Sequence, residues 1–140
     1  GSNIFVRKNI IEALNGFDEN FLRHQDYEFL VRLFQKYALI AIPEVLVIKN
    51  NENFNLPDVE KMINIKKQYL SKFKDIIKGL SVADQNYIYK NNYISIAEQA
   101  LKTKQYSLAK EYYAKVKGFG SLSFKSKIRK YVIQLLNYIK

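Results

Sequence analysis

Arg23-His24-Gln25-Asp26-Tyr27-Glu28-Phe29-Leu30-Val31-Arg32-Leu33-Phe34, with the apolar runs 39–42 and 45–48 behind it, is the stretch on which the fold turns. Residues 26–37 have helical spacing. Tyr27, Leu30, Val31, Phe34 and Ala38 form one stripe, and Glu28, Arg32, Gln35 and Lys36 occupy the other face. The period then changes. Residues 39–42 and 45–48 are short runs of aliphatic, partly β-branched residues split by Pro43-Glu44, which predicts two strands. Arg23, His24, Gln25 and Asp26 are four consecutive hydrogen-bonding side chains between two apolar segments, more than one helix cap needs.

Upstream, Ile10, Ile11 and Leu14 have helical spacing, and Asn15-Gly16 predicts the end of a short helix. Downstream, residues 50–55 hold four asparagines and read as a loop. Everything after it is helical. Pro57 stands where a first helical residue belongs, with Asp58 and Glu60 favouring the positive end of the dipole. The stripe from Val59 to Ile77 predicts one helix ending at Gly79. Ser81-Val82-Ala83-Asp84 is a capping box for a helix running to about Thr103. A helix over 107–116 follows, then Gly118 and Gly120, then a last helix over 122–139. That helix is basic in its first half, with Phe124 and Ile128 on its apolar face.

Together these features predict a mainly α chain with a small β element (α+β). Its parts are an N-terminal region, 1–55, and a C-terminal helical extension, 56–140. Within the extension Tyr93, Ile96, Ala97, Tyr106, Ala109 and Tyr113 have the spacing of one tetratricopeptide-like hairpin at about 86–117. An ordinary helical hairpin gives the same spacing. The 14% aromatic content is Phe and Tyr alone; Phe73, Tyr87, Tyr93 and Phe124 fall on helical stripes and read as core. That disfavours the interleaved aromatic platform of a single-strand nucleic-acid binder.

Composition bounds the function. At 140 residues and 48% hydrophobic the chain is expected to be globular, with a single core and at most a small appendage. No cysteine and a single histidine, His24, exclude disulfides, Cys-ligated metal and His-rich sites. No apolar run approaches the length of a membrane span. Gly1-Ser2 reads as a cloning scar, so the natural polypeptide is expected to begin further upstream. The net charge of +10 is uneven: residues 104–140 hold nine Lys/Arg against one acid, Glu111. Such a tail suits an anionic neighbour, and peripheral contact with a membrane through the last helix is one candidate. A Lys-rich surface with no partner is the alternative.

Arg7-Lys8, Gly16-Phe17-Asp18-Glu19, Gln25-Asp26, the helix through Leu30 to Leu33 and the segment Pro43-Glu44-Val45-Leu46 occur in this order. In that order they resemble the second half of a bacterial family 2 glycosyltransferase with the GT-A fold. The resemblance covers about residues 3–50. It implies a partial GT-A acceptor-side segment in which Asp26 is the general base of an inverting transfer, and Arg23, His24 and Gln25 bind the acceptor. Asp18 and Glu19 would line the acceptor side or cap and pair. Gly16 would make the tight turn and Phe17 would be core.

The resemblance further implies a nucleotide-sugar donor, a saccharide or lipid-linked acceptor, and a role in cell-surface polysaccharide biosynthesis. The setting would be cytoplasmic, at the inner face of the plasma membrane. A divalent metal, Mg or Mn, is expected in the whole enzyme. The family's Asp-x-Asp is absent here, since no two aspartates stand two apart, so no metal ligand is assigned. The nucleotide-binding half is also missing, and the chain alone is expected to be inactive, with a homodimer as one way to cover exposed surface. The alternative function is a helical scaffold module that docks a protein or membrane through 57–140.

Overall fold

The computed structural model describes residues 4–21, 23–48, 57–121 and Lys127. The chain divides into two compact units, residues 1–55 and 56–140. Every regular element among the described residues is helical.

The first unit contains α1 (Lys8–Ala13) and α2 (Gln25–Phe34). Asn15 and Gly16, at φ 56° and 63°, turn the chain out of α1. Gly16 N–H donates to the Ile11 carbonyl at 2.9 Å and Asn15 N–H to that of Glu12 at 3.0 Å. This pairing closes a Schellman motif whose left-handed residue is Asn15, a residue type that tolerates that conformation, and Gly16 follows in the same region. Leu14, Phe29 and Leu33 form the core, flanked by Val6, Ile10, Ile11 and Leu30.

The buried face of α2 differs from the expected stripe. Phe29, Leu33 and Glu28 are buried, while Tyr27 and Phe34 are exposed. Six of the eight residues 27–34 are apolar, so periodicity alone does not choose between faces; contact with α1 does. Phe17, expected in the core, is 56% exposed, although its ring leans on Phe29 with centroids 5.1 Å apart.

The two strands expected at 39–42 and 45–48 are not formed: no strand is present among the described residues. Alternating aliphatic residues set the willingness to extend, but a strand exists only where a neighbour completes its ladder. The loop expected at 50–55 and the helix expected at 122–139, with Phe124, lie outside the described residues, apart from the helical Lys127.

The second unit contains α3 (Val59–Lys72), α4 (Lys74–Lys78), α5 (Val82–Lys102) and α6 (Tyr106–Val116), followed by a 3-10 turn (Lys117–Phe119). Asp58, rather than Pro57, marks the start of α3: its carboxylate accepts from Lys61 N–H at 2.7 Å. The helix expected to run unbroken to Gly79 is interrupted at Phe73, where φ −102° and ψ 15° separate α3 from α4. Phe73 itself is buried, with Tyr69 edge-on to its ring.

Ser81 caps α5 with one half of the predicted box, since the Asp84 carboxylate takes the Ser81 hydroxyl rather than a backbone N–H. Its Oγ accepts from Asp84 N–H at 3.2 Å and donates to the Asp84 carboxylate at 2.6 Å. Ser81→Ala is expected to cost about 1 kcal/mol, read as a lower midpoint in thermal unfolding followed by circular dichroism.

Helices α5 and α6 form the hairpin. Ala97, Ala100 and Ala109 are wholly buried, with Tyr112 and Tyr113 beside them, and Val59 of α3 joins the same core. The methyl side chains let the two helices approach closely. Ala109→Leu is therefore expected to overpack the contact and cost about 1–3 kcal/mol, measured by denaturant unfolding. Gln99 is buried and donates to the Pro57 carbonyl at 2.7 Å, which ties the start of α3 to α5. Phe119 stacks on Tyr89 with centroids 5.2 Å apart. Tyr87, read as core, is 68% exposed.

Candidate functional site

The polar quartet stands at the start of α2. His24 is the residue before the helix and adopts the left-handed conformation, at φ 63° and ψ 40°, with no capping hydrogen bond from its side chain. Its ring stacks on Tyr27, centroids 5.2 Å apart. Gln25 is exposed and donates from Nε2 to the Phe21 carbonyl at 3.2 Å. Arg23 is half-buried.

Asp26 lies within the first turn and is not the cap. Its Oδ1 accepts the N–H of Tyr27 at 3.0 Å. The carboxylate is thus oriented by the backbone and sits at the positive end of the helix dipole, half-buried.

Asp18 and Glu19 occupy the turn between the helices. Asn20 N–H donates to Asp18 Oδ1 at 3.0 Å, and Glu19 is exposed. The negative charge of Asp18 also acts on Arg32.

The pairing that ties α2 to the end of α1 is the feature the sequence reading missed. Glu28, assigned there to the solvent face, has a side chain with no exposed surface, and Arg32 is its partner. Arg32 Nε donates to Glu28 Oε1 and Nη2 to Oε2, each at 2.7 Å. The remaining guanidinium donors reach across to the end of α1: Nη2 donates to the Gly16 carbonyl at 2.7 Å, and Nη1 to that of Leu14. One arginine thus neutralises a buried carboxylate and satisfies two carbonyls at a helix C-terminus. The Glu28 hydrogen bonds raise the Arg32 pKa above its ordinary value against the opposing effect of burial, and the fields of Glu28 and Asp18 act with them. A signal was present in the sequence, since Glu28 and Arg32 are an i,i+4 pair in the favourable order, interleaved with Phe29 and Leu33.

Among the described residues, no group of three or more His, Cys, Asp or Glu is placed to hold a metal ion. No described helix is long and apolar enough to cross a membrane. No family model, curated protein or solved structure matches the chain.

Proposed function

We propose that residues 3–50 are the acceptor-side part of an inverting family 2 glycosyltransferase of GT-A fold, and that 56–140 is its helical extension. The parent enzyme would move a sugar from a nucleotide-sugar donor to a saccharide or lipid-linked acceptor in cell-surface polysaccharide assembly, on the cytoplasmic side of the membrane. The observation that carries the reading is Asp26. It follows the ordered motifs Arg7-Lys8 and Gly16-Phe17-Asp18-Glu19, and it sits in the first turn of α2 with its carboxylate oriented by the Tyr27 N–H.

A sugar hydroxyl becomes an adequate nucleophile only as its proton departs, and a carboxylate within hydrogen-bond reach can take that proton. The hydroxyl oxygen bonds to the anomeric carbon, the bond from that carbon to the nucleoside diphosphate breaks, and the proton passes to Asp26. Arg23, His24 and Gln25, adjacent to the base, position the acceptor; positioning of this kind contributes to rate in its own right. The divalent metal of the parent falls to residues beyond this chain, and no step above depends on it.

Two experiments test the reading. The coding sequence upstream of Asn3 should hold a strand-rich region with an Asp-x-Asp at a strand end; a start codon immediately before Asn3 would remove the proposal. Turnover of the parent carrying Asp26→Asn is the second. The scaffold reading rests on a different observation, the self-contained core of the 56–140 unit. It predicts that this unit alone captures a partner.

A further inference from the structure

In the second unit the exposed large apolar side chains gather at one turn. Among the described residues they are Leu80, Val82 and Tyr87, at 40%, 72% and 68% exposure. They flank the turn from α4 to α5, where residues 78–84 are exposed without interruption. The turn is held in place. Gln85 Nε2 donates to the carbonyls of Lys78 and Leu80, at 3.2 and 2.9 Å, and Ser81 caps α5. Leu80 and Val82 are thus presented to solvent by a fixed backbone.

The charge around them is basic. Residues 56–140 hold seventeen Lys/Arg and six Asp/Glu, a net of +11, whereas residues 1–55 hold six and seven, a net of −1. Lys74 and Lys78 of α4 are exposed next to the turn. Two acids are also close. Asp84 turns its carboxylate onto the Ser81 hydroxyl, and Asp75 lies 3.8 Å from Lys78 in a solvent-open ion pair that contributes little. Three apolar side chains are too few for a stable protein interface, which takes about 20–30 residues a side. They suit a lipid surface, whose headgroups close around what enters. A small apolar tip with lysines behind it is the combination that an anionic bilayer interface binds. Tyr87 stands about 7.5 Å further along α5 than Val82. With Leu80 and Val82 at the acyl boundary it lies among the headgroups, where tyrosine is favoured.

We infer that the α4–α5 turn docks the chain peripherally on an anionic phospholipid surface, with Leu80 and Val82 entering the interface and Lys74 and Lys78 pairing with lipid phosphates. This contact belongs to the second unit and is independent of the transfer chemistry. Flotation of the 140-residue chain at about 0.15 M salt is expected with phosphatidylglycerol–phosphatidylcholine vesicles and not with phosphatidylcholine alone. Lys74→Ala with Lys78→Ala should lower the partition coefficient about 25-fold, at about fivefold for each lysine near the surface. Leu80→Gln with Val82→Gln should lower it at least about fourfold. Lys61→Ala with Lys110→Ala removes the same charge from exposed sites nearer the other end of α5, roughly 20 Å along the helix and past the Debye length of about 8 Å. That control should change partition by less than about twofold.

Val82→Trp supplies a second measurement. It places a sole tryptophan on the turn, and its emission should move to shorter wavelength on the anionic vesicles. A wild-type chain that floats with neither vesicle, or that binds short RNA oligonucleotides while ignoring vesicles, would overturn the inference. Flotation undiminished by the turn variants, or an unshifted emission from bound Val82→Trp, would overturn it by placing the contact on another surface.

Discussion

Arg32→Ala is expected to destabilise the first unit by about 3–5 kcal/mol, enough to abolish slow hydrogen exchange over residues 4–34. The cost comes from what the substitution leaves behind. Glu28 has no side-chain exposure, and its two oxygens lose both guanidinium bonds. The carbonyls of Leu14 and Gly16 lose their donors at the same time. A buried carboxylate without a cation is driven toward its neutral form, so its folded-state pKa rises above the unfolded one.

The sign of the pH effect follows. Any stability the protonated Glu28 contributes in the variant is fully present below the unfolded pKa, about 4.3. It is lost as pH rises through the folded value. The variant should therefore be more stable at about pH 5 than at about pH 7.5. Glu28→Leu combined with Arg32→Met should recover much of the loss, because removing both charges removes the unpaired one. Exchange in Arg32→Ala indistinguishable from wild type would show that the pair does not hold the two helices together.

The same pair explains how a short helix keeps its place. Six-residue α1 is too short to be stable by itself, and it buries none of its own residues completely. It is retained by Leu14 in the small core and by the guanidinium bonds that close its C-terminal turn. The quartet at the start of α2 therefore sits on an element anchored further along the helix, at Glu28 and Arg32. The side chains of Arg23 to Asp26 do not have to supply that anchoring.

The local signals of the chain were legible where chemistry is local. Asn15-Gly16, the Ser81 cap, and the small residues Ala97 and Ala109 each specify a conformation or a contact through their own atoms, and each appears as read. Failures came where the answer depends on a neighbour. The face that α2 buries is set by α1, so the stripe through Tyr27 and Phe34 was chosen over the one through Phe29 and Leu33. Glu28 was placed in solvent because a lone carboxylate usually belongs there; only the guanidinium and its two carbonyl partners make burial tolerable. Residues 39–48 have the composition of strands and no ladder. The sequence placed Asp26 at the start of α2, but it did not distinguish the cap position, which His24 takes, from the first turn, where Asp26 lies.

That distinction bears on the second large effect. On the proposed reading, Asp26→Asn in the parent glycosyltransferase is expected to lower kcat by about 10²–10⁴-fold with the fold retained. The amide keeps the shape and an oxygen that can still accept the Tyr27 N–H. Loss of a negative charge from the first turn costs only about 0.3–1 kcal/mol of helix–dipole interaction. Because Asp26 is neither the cap of α2 nor a partner in the Glu28–Arg32 pair, stability and turnover should separate in this variant. Arg32→Ala should lose both together. The pH profile gives the check that a structural role would not move. With a carboxylate base, kcat/KM falls on the acidic side as Asp26 gains its proton, and Asp26→Asn should flatten that limb while lowering the plateau. A variant with near-wild-type turnover, or one that loses activity only in step with folding, would return Asp26 to the role of a first-turn acid stabilising the start of α2.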